Sequence, residues 1–86
     1  MIALTFLTKR DCAWCAAGKE ILAELSHEFP LHIDEVSLET EEGQRLGVEH
    51  QMMFAPGLIA DGRLISHGRM SKRALRRDLL HLTEAR

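Results

Sequence analysis

Two cysteines stand three residues apart in Cys12-Ala13-Trp14-Cys15, and the chain of 86 residues holds no others. A pair so few and so close cannot staple distant segments, so its chemistry must be local. At a helix start, residues i and i+3 share one face with β-carbons roughly 5 to 6 Å apart, and a disulfide can close there with little backbone movement. A sulfur at the very first position meets backbone N–H groups that have no partner inside the helix. The positive end of the macrodipole there favours thiolate over thiol. Cys12 is therefore the expected nucleophile, with a lowered pKa to which Lys9 and Arg10 add and which Asp11 opposes. Cys15, one turn further in and on an apolar stripe, is expected to be more buried and to act second. The chemistry this implies is exchange: the Cys12 thiolate attacks a substrate disulfide, a mixed disulfide forms, and Cys15 attacks the Cys12 sulfur to release the reduced substrate.

Zinc is the competing use of such residues. Cys12, Cys15, His27 and His32 come close to the spacing of a Cys2His2 finger, but a finger carries both histidines on one continuous helix, and Pro30 falls between these two. No metal site is expected, and the remaining histidines, His50, His67 and His81, offer no other ligand spacing. A non-catalytic metal or iron-sulfur carrier, in which Cys12 and glutathione hold a cluster between two chains, is the alternative from a different class.

The elements that must position the pair can be read from periodicity. Ile2 to Leu7 is a nearly unbroken apolar run of strand length, expected as a central strand covered on both faces. Cys15, Gly18, Leu22, Leu25 and Phe29 then recur at helical spacing up to Pro30. Leu31 to Leu38 alternates as a second strand until Val36 breaks the period, which suggests a bulge or a covered second face. Ser37 and the acids Glu39, Glu41 and Glu42 suit the start of a short helix that Gly47 would end in a left-handed conformation. Leu58–Ala60 and Arg63–Ser66, joined by Asp61-Gly62, read as a hairpin with the turn that matches strand twist. Finally, Ser71 can cap a helix with Leu75, Leu79 and Leu82 on one side and Lys72, Arg73, Arg76 and Arg77 on the other. The order βαβ, α, ββα predicts an α/β fold in which a mixed four-stranded sheet carries helices on its faces, in a single domain over 1–86.

Composition bounds the function classes. With 45% apolar and 28% charged residues, the chain can bury one modest core. It has no apolar run of membrane length, and Met1 leads straight into the first strand without a cationic leader or cleavage site, so a cytoplasmic location is expected. The formal charge is −2 but segregated: Lys19 to Glu49 carries two bases against nine acids, and Asp61 to Arg86 seven bases against three acids. No interleaved aromatics accompany the basic helix, so nucleic acid is not expected. A solvated helix face or an acidic docking partner remain the readings of that charge.

Taken together, these residues resemble the glutaredoxin family of the thioredoxin superfamily, including the small glutaredoxin-like redoxins that reduce ribonucleotide reductase. The likeness runs through Leu4-Thr5-Phe6-Leu7-Thr8-Lys9, the cysteine pair, Phe54-Ala55-Pro56, Asp61-Gly62 and Gly68. It implies a thioredoxin-like βαβαββα fold and a dithiol oxidoreductase. Pro56 would be cis and lie against the cysteines, and the Ala55 backbone would pair with a bound substrate as a short extra strand. Lys9 and Trp14 would touch bound glutathione. The resemblance also implies no tightly bound cofactor, glutathione as a co-substrate, and glutathione or thioredoxin reductase as electron donor. A disulfide-containing protein would be the substrate and the chain a monomer. The chain departs from the family where a Thr-Val precedes the proline, which here is Phe54-Ala55. A glycine pair followed by aspartates before the last helix is here His67-Gly68-Arg69-Met70-Ser71.

Overall fold

The computed structural model describes residues 1–84. Ala85 and Arg86, the end of the expected domain and of its basic stretch, lie outside the described residues. The element order is β1 (Ile2–Thr8), α1 (Ala13–Leu25), β2 (Leu31–Ser37), α2 (Glu41–Glu49), β3 (Gly57–Ala60), β4 (Arg63–His67) and α3 (Lys72–Glu84). The sheet order is β2-β1-β3-β4, with β1 parallel to β2 and antiparallel to β3, and β3 antiparallel to β4. The mixed α/β sheet of four strands and three helices is thus as read from the periodicity.

One face of the sheet carries the core. Ile2, Leu4 and Phe6 of β1, with Leu58 and Ala60 of β3, pack against Leu22 and Leu25 of α1 and Leu75 and Leu79 of α3. Alternate side chains of a strand share a face, so the even positions of β1 point into this core. The odd positions depart from the expectation of two covered faces: Leu7 is buried, Thr5 half-buried and Ala3 exposed. The nine-residue α2 packs at the end of β2, over Ser37 and Leu38, and leaves the start of β1 open on that side. Gly43 makes that approach possible, because a β-carbon there would collide with the Ser37 carbonyl oxygen.

Several boundaries differ from expectation for local reasons. α1 stops at Leu25 rather than running to Phe29; the N–H of Glu28 turns back to the Leu25 carbonyl, and the residue before Pro30 is disfavoured in helical conformation. Phe29 is buried all the same. No bulge marks Val36: β1 and β2 pair without interruption from Ile2 opposite Leu31 to Thr8 opposite Ser37. The irregularity lies between β3 and β4, where Leu58 faces Ser66 and Ile59 faces Leu64, leaving Ile65 as an extra residue that packs against the core. The cap of α2 is Thr40, whose Oγ1 accepts from the Gly43 N–H at 3.0 Å. Ser37, the expected cap, instead accepts from the Glu39 N–H at 3.1 Å. Gly47 lies inside the helix, and the left-handed residue beyond its end is Gln51 (φ 54°). The hairpin turn is as expected, with Asp61 (φ 51°) and Gly62 (φ 75°) both left-handed. Ser71 caps α3 by accepting from the Ala74 N–H at 3.2 Å.

The basic side of α3 is partly engaged within the chain. Lys72 reaches Glu24 at 2.9 Å, and Arg76 donates to both oxygens of Glu28 at 2.8 and 2.7 Å, tying α3 to α1. The charge of these two residues is met, at the surface, by acids of the neighbouring helix. Among the described residues, no helix is long and apolar enough to cross a membrane.

Candidate functional site

The core placement of β1 and α1 brings the chain to the cysteines through one tight turn. Asp11 adopts φ 50°, a left-handed conformation that short polar side chains tolerate, and delivers Cys12 to the head of α1. Arg10, just before that turn, donates from Nε and Nη2 to the Glu39 carboxylate, at 2.9 Å for Nη2, and so ties the loop to the start of the β2–α2 connection. This pairing holds the Glu39 carboxyl below its ordinary pKa, the Arg10 hydrogen bond being the chief cause.

Cys12 is the N-cap of α1, with extended backbone (φ −119°, ψ 103°), and its Sγ accepts from the Cys15 N–H at 3.1 Å. The cap position normally filled by a hydroxyl or carboxylate oxygen is thus filled by sulfur. No acidic residue occupies the first turn of the helix to oppose a thiolate there. Cys15 lies one turn on, at a Cα distance of 5.2 Å, and the two sulfurs are joined in a disulfide. Cys12 is half-buried and Cys15 only 6% exposed, so the outer sulfur faces solvent and the inner one faces the protein.

A cavity of about 310 Å³ has walls that include Thr8, Lys9, Lys19 and Glu35 together with both cysteines. Thr8, buried at the end of β1, donates its hydroxyl to Glu35 at 3.2 Å, and Lys19 reaches the other carboxylate oxygen at 3.3 Å. Lys9 is therefore placed beside the pair. Glu35, Lys19 and Thr8 are not among the site residues expected from the sequence; the parallel register that sets Glu35 opposite Phe6 brings them here.

The loop before β3 and the turn before α3 meet each other close to Trp14. The Ala55–Pro56 peptide is cis, Pro56 is fully buried and Ala55 half-buried. The Gly68 N–H donates to the Pro56 carbonyl at 2.8 Å and holds the two turns together. Gly68 has φ 80°, and a β-carbon on it would sit 3.5 Å from Phe54 Cβ and 3.9 Å from Trp14 Cζ3. Gly68 thus has as neighbours two residues from segments forty positions apart in the chain. Trp14 is an expected contact, whereas Phe54 is not among the site residues expected from the sequence, and nothing local announces its position.

Among the described residues, no group of three or more His, Cys, Asp or Glu is arranged to hold a metal ion. The comparisons with known proteins fall on the structure rather than the sequence. No known protein family's profile matches the chain, and no curated protein matches it. Among solved structures, a malarial protein superimposes with a TM-score of 0.71 at 11% identity, covering 94% of this chain and 96% of the other. A mutant thioredoxin from Halobacterium salinarum gives 0.64 at 20% identity, over 91% of this chain and 70% of that one. Glutaredoxin 1 from Francisella tularensis, complexed with cacodylate, gives 0.59 at 13% identity over 98% and 99%. At such identities the likeness concerns architecture, and on that ground the chain has a thioredoxin-like fold with a Cys-x-x-Cys disulfide at the head of its first helix.

Proposed function

We propose that this chain is a thiol-disulfide oxidoreductase in which Cys12 attacks and Cys15 resolves. The observation that carries this reading is the placement of Cys12 Sγ as the acceptor of the Cys15 N–H at the open end of α1. A hydrogen bond to a charged acceptor and the helix terminus both favour thiolate over thiol, so the reduced Cys12 is poised as a nucleophile near neutral pH. In the forward cycle the Cys12 thiolate bonds to one sulfur of a substrate disulfide, and the other substrate sulfur leaves as a thiolate that takes a proton from water. Cys15 then loses its proton and bonds to Cys12 Sγ, and the second substrate thiol departs. Two electrons have moved from the dithiol to the substrate, and the protein is left oxidised, as in this structure.

Ala55, at the half-buried edge before β3, is the backbone available for pairing with an extended substrate, and Pro56 fixes its direction from within. Lys9, which lines the cavity with both cysteines, and Trp14, between them in sequence, are the side chains proposed to contact the substrate. The reductant is a low-molecular-weight thiol such as glutathione or a thioredoxin reductase. No tightly bound cofactor takes part, and the protein works as a cytoplasmic monomer.

The test is trapping. With Cys15→Ser, incubation with a peptide disulfide should accumulate a mixed disulfide at Cys12, seen by mass spectrometry and reversed by dithiothreitol. Cys12→Ser should trap little. Equal trapping by the two variants would remove the assigned order, and no trapping by either would remove the activity.

A further inference from the structure

The two edges of the sheet are built differently. β4 carries Arg63 and His67 at its ends and takes in Ile65 as an extra residue, and charge and bulges both keep an edge strand from pairing with another chain. β2, at the opposite edge, has seven residues, no lysine or proline among them, and an unbroken register against β1. Its outward groups follow from that register. The Pro30 carbonyl accepts from the Ile2 N–H at 2.8 Å and the Leu38 N–H donates to the Thr8 carbonyl at 2.7 Å, so the even-numbered residues between them turn their backbone groups to β1. The N–H and C=O of Ile33 and Glu35 therefore point away from the sheet, where another strand can take them.

The side chains decide which strand fits. Leu31 and Ile33 pack against the core while only partly buried, and a cavity of about 270 Å³ opens at this edge, walled by Phe6, Leu22, Ala23 and Ile33 together with Lys19 and Glu35. His32 and Asp34 lie on the other face, their side chains 58% and 69% exposed. Residues directly opposite in an antiparallel pair share a face, where unlike charges attract and like charges repel. When β2 meets a second β2 in antiparallel order, the residue on the two-fold axis fixes every pair. Three registers pair five or more of its residues, those centred on Ile33, Asp34 and Glu35. The last two set a carboxylate against its own copy. Centred on Ile33, the strand sets Ile33 against Ile33, Leu31 against Glu35, and His32 against Asp34 twice. Glu35 suits its place opposite leucine, because Lys19 meets its carboxylate at 3.3 Å within the chain. The His32 and Asp34 pairs fall at the non-hydrogen-bonded positions, where opposed Cα atoms come closest, roughly 4.5 Å apart.

We propose that β2 is a pairing edge for a second copy of this chain, joined antiparallel about Ile33. The Ile33 N–H of each copy donates to the Ile33 carbonyl of the other, and each Glu35 N–H donates to the opposite Leu31 carbonyl. On the core face, Leu31 of one copy comes beside the cavity of the other. On the far face, each His32 gains an opposed Asp34 in addition to the one 3.4 Å away in its own chain. The two sheets become one of eight strands. Neither cysteine belongs to the paired edge, so a single chain remains the unit that exchanges disulfides, and pairing is a concentration-dependent equilibrium that stands or falls apart from that reading.

Sedimentation equilibrium of the full chain in its disulfide form, from about 10 μM to about 1 mM, should show the average mass rising from one chain towards two, as expected of a contact smaller than an obligate interface. Amide hydrogen exchange at the upper concentration should slow at Ile33 and Glu35 relative to the lower. His32→Asp sets a carboxylate against Asp34 at both pairs and should weaken association about tenfold. Asp34→Lys leaves His32 without its acceptor and should weaken association about threefold or more. Mixed in equal amounts, the two variants become complementary, and the mixture should associate at least as well as the unaltered chain. Both side chains lie largely in water, so each variant should match the unaltered chain in circular dichroism and in reduction of a peptide disulfide. An average mass that stays at one chain, or that climbs past two, would overturn the closed pair. Association that slows amides of β4 or α2 in place of β2, that neither variant weakens, or that mixing the variants does not restore would overturn the edge and its register. Slowing of the Ile33 and Glu35 amides only when an extended peptide of Thr and Val residues is added would give the edge to a strand of another protein and overturn the second copy.

Discussion

Alanine at Gly68 separates what the glycine does for the backbone from what it does for the site, because Gly62 provides a matched control. Gly62 and Gly68 have nearly the same dihedral, φ 75° and 80°. A β-carbon at Gly62 would meet nothing within 4 Å, and one at Gly68 would meet Phe54 and Trp14 at ordinary contact distances of 3.5 and 3.9 Å. Neither substitution creates a clash. Both pay only the left-handed penalty, about 1–2 kcal/mol, less about 0.4–1 kcal/mol for the reduced freedom of the unfolded chain. The net loss is about 1 kcal/mol in each, or about 4–8 °C in Tm for a domain of this size. Thermal melts of the two variants should therefore nearly coincide. Their activities should not: the methyl of Gly68→Ala lies in contact with Trp14, which stands between the two cysteines in sequence, and reduction of a peptide disulfide at 25 °C should fall at least threefold. Gly62→Ala, at the hairpin tip, should reduce that peptide as the unaltered protein does. If Gly68→Ala lost more than twice the stability of Gly62→Ala, the environment around Gly68 would be tighter than these distances allow. If the two variants matched in activity as well as in Tm, substrates would not pass over the glycine.

In the reduced protein, brief treatment with iodoacetamide at neutral pH should label Cys12 well before Cys15, because the first sits half-buried at the helix end and the second is 6% exposed; peptide mapping showing equal labelling would contradict both the burial and the thiolate assignment. Gly43→Ala should destabilise the protein by about 2 kcal/mol despite alanine's better helix propensity, since the Ser37 carbonyl is backbone and cannot turn aside. A urea midpoint unchanged or raised would show that α2 can slide off β2 at little cost. The Glu28 carboxyl is held below its ordinary pKa of 4.5 chiefly by the hydrogen bond from Arg76, with burial opposing and the charges of Arg76 and Lys72 assisting. A lowered folded-state pKa stabilises the fold above the ordinary value and loses that contribution as pH falls through the folded one, so Glu28→Gln should lose less stability than the unaltered protein between pH 6 and 3. Parallel acid profiles in urea denaturation would show that the α1–α3 pairing is not felt.

The parts of this protein that were legible in its sequence are those whose cause is local. The stripe Cys15, Gly18, Leu22, Leu25 reports one helix face, and those four residues are the buried ones of α1. Asp61-Gly62 reports a turn that needs two left-handed residues, and both are left-handed. The parts that were not legible are settled between segments. Thr40 rather than Ser37 caps α2 because the chain must reach Gly43 where the Ser37 carbonyl passes, a contact that no window of sequence contains. The bulge was sought at Val36, where the alternation breaks, but β2 pairs only with β1 and can keep its register there, whereas β4 takes in Ile65 as an extra residue against the core. The basic helix was read by its own pattern, and its partners Glu24 and Glu28 lie on another helix.

The same division runs through the candidate site. The position of Cys12 at the helix head could be read from spacing alone, because a helix N-terminus acts on its first residue whatever the rest of the fold does. What surrounds that sulfur could not. Glu35 arrives through strand register and Phe54 through the turn that Gly68 and Pro56 share, so these neighbours exist only once the sheet has closed. On the proposed reading, the Cys-x-x-Cys pair at a helix head carries the exchange itself, and any choice among disulfides would fall to residues contributed by β2, the loop before β3 and the turn before α3. Substitutions at Phe54 should accordingly alter which disulfide is reduced, whereas substitutions at Cys12 should abolish reduction of all of them.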